Sequence, residues 1–212
     1  MIMYHDKVTA GNGEKEDVIE KKGGINCKIT DILFDQIEKQ FIKTHRIETI
    51  GNTMLCQKVS IIPVEFVVRN IAAGSIVRQT TIKEGKVLDF PLLEYYLKDD
   101  SKNDPLLTED RLTLMGYDNF TAINMKCYAI NEVLKDIFSR IGLDLVDFKL
   151  EFGYDAANNI LLADELSPDS MRLWNKGTQE SMDKDIFRKG DGNIIPAYQK
   201  ILDDLLTLLY NK

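Results

Sequence analysis

The sequence has no cysteine pair at bridging or metal spacing, no histidine cluster and no basic stripe, and each absence removes a class of function. Cys27, Cys56 and Cys127 are an odd count, and none stands at Cys-x-x-Cys spacing. That pattern argues against a disulfide framework and a structural zinc, and free thiols fit a reducing cytoplasmic location. His5 and His45 each lack a second histidine or cysteine at ligand spacing, so His45 reads as a surface residue. The formal net charge is −7. A nucleic-acid partner would call for a basic stripe, so none is expected, although a local basic pocket for an anionic ligand remains compatible. No apolar run approaches the roughly 18 residues that span a bilayer, so no membrane partner is expected. The first residues also lack the basic and apolar regions of a secretory signal. Neither an internal repeat nor a low-complexity tract is present.

What remains is an ordinary globular composition: 212 residues, 44% hydrophobic and 29% charged. That length suits one domain or two small lobes with a proper core. Residues 145–174 carry the strongest pattern. Val146, Phe148, Leu150 and Phe152 alternate with Asp147, Lys149 and Glu151, which predicts a strand with one apolar and one charged face. Turn residues at 155–159 and a second strand over 160–166 complete a hairpin. A turn centred near Ala157 brings Glu151 close to Asp164. Like charges facing across a hairpin are unfavourable, and a cation between them would remove the penalty.

Elsewhere, residues 17–22 form a charge run expected to be solvated. Gly11 and Gly13 mark a turn or a close approach of backbone to a ligand. Ile25, Ile29, Ile32, Leu33 and Ile37 recur at helical spacing. Gly51-Asn52 predicts a two-residue hairpin turn. Pro63 interrupts a ladder and marks a junction between two lobes, 1–62 and 63–212. A strand follows that carries Arg69, and Ser75 opens a short helix after Ala72-Ala73-Gly74. A serine at a helix start beside an arginine suits an anion. Thr108 caps a short helix ended by Gly116. The longest helix, about 121–140, buries Ile123, Cys127, Ile130, Leu134, Ile137 and Ile141 and packs on the back of the 145–174 hairpin. The last helix starts near Pro196 with Ile201, Leu202, Leu205, Leu208 and Leu209 inward.

Four stretches together resemble one family: 63–75 (Pro-Val-Glu-Phe-Val-Val-Arg-Asn-Ile-Ala-Ala-Gly-Ser), 146–153 (Val-Asp-Phe-Lys-Leu-Glu-Phe-Gly), 164–174 (Asp-Glu-Leu-Ser-Pro-Asp-Ser-Met-Arg-Leu-Trp) and 182–188 (Met-Asp-Lys-Asp-Ile-Phe-Arg). They resemble the bacterial SAICAR synthetases of purine biosynthesis, in consistent order from about Val8 to Tyr210. The resemblance implies a mixed α/β, α+β fold of two lobes, related to kinase-like and ATP-grasp folds, with antiparallel sheets and packed helices. It implies an ATP-dependent ligase that joins carboxyaminoimidazole ribotide (CAIR) to L-aspartate, using Mg2+, in a cytoplasmic homodimer.

By the same resemblance Arg69 and Ser75 bind the ribotide's phosphate or carboxylate, with Arg172 and Arg188 as further anion clamps. Lys149 lies beside the substrate carboxylate, and Lys184 lies on the substrate side. Glu151 and Asp164 face ATP and its metal, and with Lys149 they form the catalytic set. Lys98 reaches the nucleotide, and Ile62 lines the adenine slot through backbone contacts. Gly13, with Asn12, falls where a glycine-containing loop approaches the site. Asp104 serves the metal or substrate side. Ser167 and Asp169 shape a loop or contact aspartate. The family's opening strand pair, whose glycine-and-lysine turn covers the ATP phosphates, has no counterpart in this sequence, so its lysines are unassigned here. The alternatives are a small-molecule kinase on a related fold, against which the missing kinase catalytic loop weighs, and a non-catalytic nucleotide-binding protein.

Overall fold

Strands β1 (Ile2–Met3), β2 (Lys7–Ala10) and β3 (Lys15–Val18) precede helix α1 (Lys22–Glu38), and β4 (Arg46–Ile50) and β5 (Thr53–Cys56) follow it. The computed structural model describes residues 1–10, 15–117, 120–190 and 192–210. β1, β5 and β4 form one antiparallel sheet, and β2 pairs with β3 in a separate ribbon. The β4–β5 hairpin turns at Gly51-Asn52, with Ile50 opposite Thr53, as the dipeptide predicts. Asp6 caps α1 by accepting from the backbone N–H of Gly23 at 2.9 Å. A Cβ on Gly23 would lie 2.4 Å from the carbonyl oxygen of Tyr4, so only glycine lets the helix start pack on that backbone. Ile25, Ile29, Ile32, Leu33 and Ile37 of α1 all enter the core.

The chain continues through β6 (Ser60–Ile61), β7 (Val64–Ile71), α2 (Ser75–Gln79) and β8 (Val87–Leu97). A 3-10 turn at Asp100–Lys102, β9 (Leu106–Leu107), α3 (Glu109–Leu114) and α4 (Phe120–Arg140) come next. Then follow β10 (Leu143–Tyr154), β11 (Ile160–Ala163), β12 (Met171–Asn175), α5 (Asp185–Lys189) and α6 (Ile195–Tyr210). The main sheet has seven antiparallel strands, and β10 pairs with four of them: β6, β7, β11 and β12.

β11 and β12 follow the path of one strand along β10, broken by an excursion. Tyr154 faces Ile160 and Glu151 faces Ala163; the pairing resumes with Phe148 facing Met171. Residues 164–170 leave the sheet between these two runs. The expected strand over 160–166 therefore ends early, at Ala163. The reason is local: Asp164 adopts φ 60°, outside the extended region. The excursion closes where the Lys149 N–H donates to the Ser170 carbonyl at 2.9 Å.

The alternation along β10 also needs one correction. Phe148, Leu150 and Phe152 enter the main core with Leu143 and Leu145. Val146, expected on the same face, packs instead with Ile71, Ala73 and Trp174 in a smaller cluster. A register shift between Leu145 and Asp147 explains this, because one inserted residue changes the face that a strand presents. α4 packs on β10, as expected, with Ile123, Cys127, Ile130, Leu134 and Ile137 buried.

Two polar residues expected at the surface are buried. His45 is 3% exposed, edge-on to Phe34 at 5.8 Å, with its backbone N–H donating to the Leu162 carbonyl. The segment before β4 is pulled onto the main sheet by a bridge between Thr44 and Leu162, which sequence spacing does not reveal. Lys22, from the charge run, is 4% exposed and ion-paired with Asp169 at 2.7 Å.

Candidate active site

β10 presents Lys149 and Glu151 two residues apart on one face. Asp164 joins them because it is the first residue of the excursion after β11. The Lys149 ammonium lies 2.7 Å from Glu151, 3.1 Å from Asp164 and 3.3 Å from Glu65. Lys149 thus places one protein cation between the two carboxylates. Lys98, at the end of β8, adds a second ammonium 2.5 Å from Glu151. Glu151 is only 2% exposed, whereas Lys98 and Asp164 open to solvent. Burial works against charge on Lys149, but Asp164, Glu151 and Glu65 outweigh it and hold the ammonium above its ordinary range. Burial likewise opposes the Asp164 carboxylate, yet Lys149 and Lys98 keep it ionised below its ordinary range. Among the described residues no group of three or more His, Cys, Asp or Glu suits a metal ion by itself.

The next two charged positions on the sheet build an arginine cluster. Asp147 lies on β10 opposite Arg69 of β7 on one side and Arg172 of β12 on the other. Its carboxylate meets Arg69 at 2.7 Å and Arg172 at 2.9 Å. Arg69 is buried and gives its remaining N–H groups to Glu94 (2.6 Å), Ser75 (2.7 Å), Tyr96 (3.3 Å) and the Ala73 carbonyl (3.4 Å). Each of its five donors has a protein partner. Arg69 thus holds the wall of the site together, and the half-buried Ser75 hydroxyl marks where that wall meets α2. Arg172 also pairs with Asp185 at 2.9 Å, and Arg188 joins the same carboxylate at 2.5 Å. Gly74 cradles Arg172: its φ is +68°, and an added Cβ would stand 2.8 Å from the guanidinium. A cavity of about 290 Å³ opens here, bordered by Arg69, Lys149, Asp169, Arg172 and Arg188 among others.

Asp169 sits between this cavity and a second one. Lys22 and the Tyr198 hydroxyl hold its carboxylate, each at 2.7 Å. Burial opposes that charge, but Lys22 and Lys184 keep it below its ordinary range. Lys184 is itself lowered by burial, only partly offset by Asp169. Ser167 shapes the loop: its hydroxyl donates to Glu165 at 2.8 Å and accepts from the Asp169 N–H at 3.1 Å. Burial, then the carboxylates of Asp169 and Asp164, push Glu165 up to about 7.

The expected site residues thus divide. Lys149, Glu151, Asp164 and Lys98 form one network; Arg69, Ser75, Arg172 and Arg188 form another; Asp169 borders the cavities on both sides of it, and Lys184 borders the second with Asp164. Asp104 borders neither cavity, and its carboxylate accepts from the Asp99 N–H at 2.9 Å in the loop after β8. Ile62 is a core residue whose N–H donates to the Phe152 carbonyl and whose carbonyl accepts from Val64, so both of its backbone groups are spent internally. Gly13 and Asn12 lie outside the described residues. Asp147, Glu65, Glu94, Tyr96, Lys22 and Asp185 are members that residue spacing does not expose, since each is placed by cross-strand register or by loop packing. Asp147 carries the one available signal, lying on the charged face of β10 with Lys149 and Glu151.

An antiparallel sheet whose charged face gathers arginines and lysines among carboxylates defines an enzyme that handles anionic small molecules. Residues 1–205 match the SAICAR synthetase family. The chain belongs to the SAICAR synthetase family, and it is an ATP-dependent ligase of purine biosynthesis. It is 46% identical over 207 residues to phosphoribosylaminoimidazole-succinocarboxamide synthase of Finegoldia magna, covering 96% of this chain and 89% of that one. It is 44% identical to the Methanocaldococcus jannaschii protein of the same name, covering 97% and 86%. A SAICAR synthetase (Type-2) in complex with ADP superposes with a TM-score of 0.93 at 38% identity, over 96% of this chain and 88% of that one. The Pyrococcus horikoshii SAICAR synthetase superposes at 0.92 with 38% identity, over 96% and 91%. No helix among the described residues is long and apolar enough to cross a membrane.

Proposed function

We propose that the protein joins the carboxylate of CAIR to the amine of L-aspartate through an acyl phosphate. The observation that carries this reading is the contact of Lys149 with both Glu151 and Asp164 at the edge of an arginine-lined cavity. A ribotide phosphate suits Arg172 and Arg188, because a guanidinium fork matches phosphate oxygens. Lys149 then receives the carboxylate to be activated. A carboxylate oxygen attacks the γ-phosphorus of ATP, the bond to the bridging oxygen breaks, and ADP leaves. The aspartate amine next attacks the acyl carbon; the C–N bond forms as the C–O bond to phosphate breaks, and the amine proton leaves with the departing phosphate. Such chemistry depends on positioning and on charge neutralisation.

Glu151 and Asp164 fit a magnesium ion, which keeps several waters and needs only one or two protein carboxylates beside phosphate oxygens. The ion, when bound, neutralises phosphate charge. Lys98 orients the nucleotide side and holds Glu151. Arg69, through Ser75 and Asp147, keeps the ribotide wall in place, and Asp104 completes the loop after Lys98. The two lobes divide at Ile62-Pro63. Three free thiols suit a cytoplasmic setting. The exposed apolar residues Ile47, Ile50 and Leu55 of the small sheet suit a homodimer, which light scattering tests.

The deciding experiment is phosphate release from ATP. Release that needs ATP, CAIR and aspartate together supports the ligase; release that continues without aspartate overturns it.

A further inference from the structure

One buried side chain outside the charged face of the main sheet touches both sheets. The His45 ring stands between β5 of the small sheet and the point where the chain leaves the main sheet after β11. On one side its Nε2 lies 3.6 Å from the Cys56 thiol. On the other it hydrogen-bonds the backbone of Asp164. Phe34 of α1 packs edge-on against it at 5.8 Å. The His45 backbone is equally committed: its N–H donates to the Leu162 carbonyl at 2.8 Å, and its carbonyl accepts from the Gln57 N–H at 2.6 Å. Burial holds the ring below its ordinary value, so it is a neutral imidazole with one nitrogen that donates and one that accepts. The donor serves the Asp164 carbonyl, which leaves the acceptor to the thiol.

Asp164 has a conformation that must be held. Its φ is 60°, in the left-handed region that side chains other than glycine rarely adopt, and such residues persist where their surroundings over-determine them. The register shows what that turn achieves. Ala163 faces Glu151 at the end of the β10–β11 ladder, so one more extended residue would face Leu150. Residues opposite each other in a ladder share a face, and the Leu150 side chain enters the core. An extended Asp164 would therefore carry its carboxylate to the apolar side, away from Lys149. The left-handed turn returns it to the charged side, 3.1 Å from the Lys149 ammonium. We propose that His45 is a positioning residue of the ligase: its ring N–H holds the Asp164 carbonyl, fixes the turn and so keeps the Asp164 carboxylate against Lys149. The proposal rests on the reading of Asp164 as a carboxylate of the reacting site.

Two readouts test it. His5 is exposed, so His45 is the one histidine whose ring N–H should be protected from solvent exchange in a nitrogen-resolved NMR spectrum of the unaltered protein. A ring proton that exchanges freely overturns the proposal, and this measurement decides even where a variant does not fold. The second readout is a kinetic cycle of His45→Phe, Asp164→Asn and the double variant. Phenylalanine keeps a ring against Phe34 and removes both nitrogens. His45→Phe should lower kcat about tenfold or more while the KM for CAIR stays within about twofold. In the Asp164→Asn background the same change should lower kcat by no more than about twofold further, because its effect runs through Asp164. An undiminished kcat in His45→Phe overturns the proposal, and so do losses that multiply in the double variant. An undiminished kcat in Asp164→Asn alone is a separate result: the reading of the site then fails, and this inference falls with it.

Discussion

Glu151 is almost fully buried, and the ammonium groups of Lys98 and Lys149 are what permit its charge there. Removing one partner of a buried pair leaves the other uncompensated. Glu151→Gln should therefore lower kcat by about 10²-fold and weaken use of magnesium-ATP, with a small effect on the KM for CAIR. Steady-state titration of each substrate separates the two. Gly74 offers a narrower test. Alanine there meets both a positive φ and the Arg172 guanidinium. Gly74→Ala should raise the KM for CAIR while leaving that for ATP unchanged, with a stability loss of about 1 to 3 kcal/mol. Arg69 presents the opposite balance, since its five donors are committed within the protein. Arg69→Ala should cost about 3 to 5 kcal/mol of stability, measurable by denaturant unfolding, because it leaves Asp147 with Arg172 as its one guanidinium partner and Glu94 with the Tyr96 hydroxyl in place of an ion pair.

At the scale of elements, two close approaches set the site. The first is α1 against the backbone after β1, permitted by Gly23. Gly23→Ala should push Tyr4 away and lower the thermal midpoint, while an alanine at Gly24, where an added Cβ meets nothing within 4 Å, should not. The second is the start of α5. Asp183 is buried and accepts from the backbone N–H groups of Leu173 (2.8 Å) and Asp185 (2.7 Å). It thereby ties β12 to the helix that carries Arg188. Burial, followed by the Asp185 carboxylate, pushes Asp183 up to about 7.

Over the whole molecule, these shifts make stability depend on pH. Glu165 and Asp183 have ordinary values of 4.5 and 3.8 and are raised to about 7 in the folded protein. Between those limits the folded state binds more protons than the unfolded one. Their contribution is full below about pH 4 and disappears as the pH rises through 7. Asp164, Asp169 and Asp185 are lowered in the folded state, so their contribution is present above pH 3.8 and lost on acidification. The thermal midpoint should peak in mildly acidic solution and fall toward pH 7. Asp183→Asn should flatten that fall; a midpoint that rises steadily from pH 5 to 8 contradicts the assignment.

The sequence by itself determined the elements with strong local signals. The α1 and α4 stripes, the Gly51-Asn52 turn and the 155–159 turn follow from periodicity and turn chemistry, which act over a few residues. The roles of Lys149, Glu151, Asp164 and Arg172 were legible too, through the resemblance of the motifs that carry them to one family. Only the tertiary structure decided which charges neutralise which. The bulge at Val146, the departure of Asp164 from the sheet and the burial of Lys22 against Asp169 join residues far apart in the chain. Register and burial determine such contacts, and neither is encoded within a local window. For that reason the two carboxylates of the 145–174 hairpin were visible in advance, while the ion pairs that Lys149 and Lys98 make with them and the second cavity beside them were not.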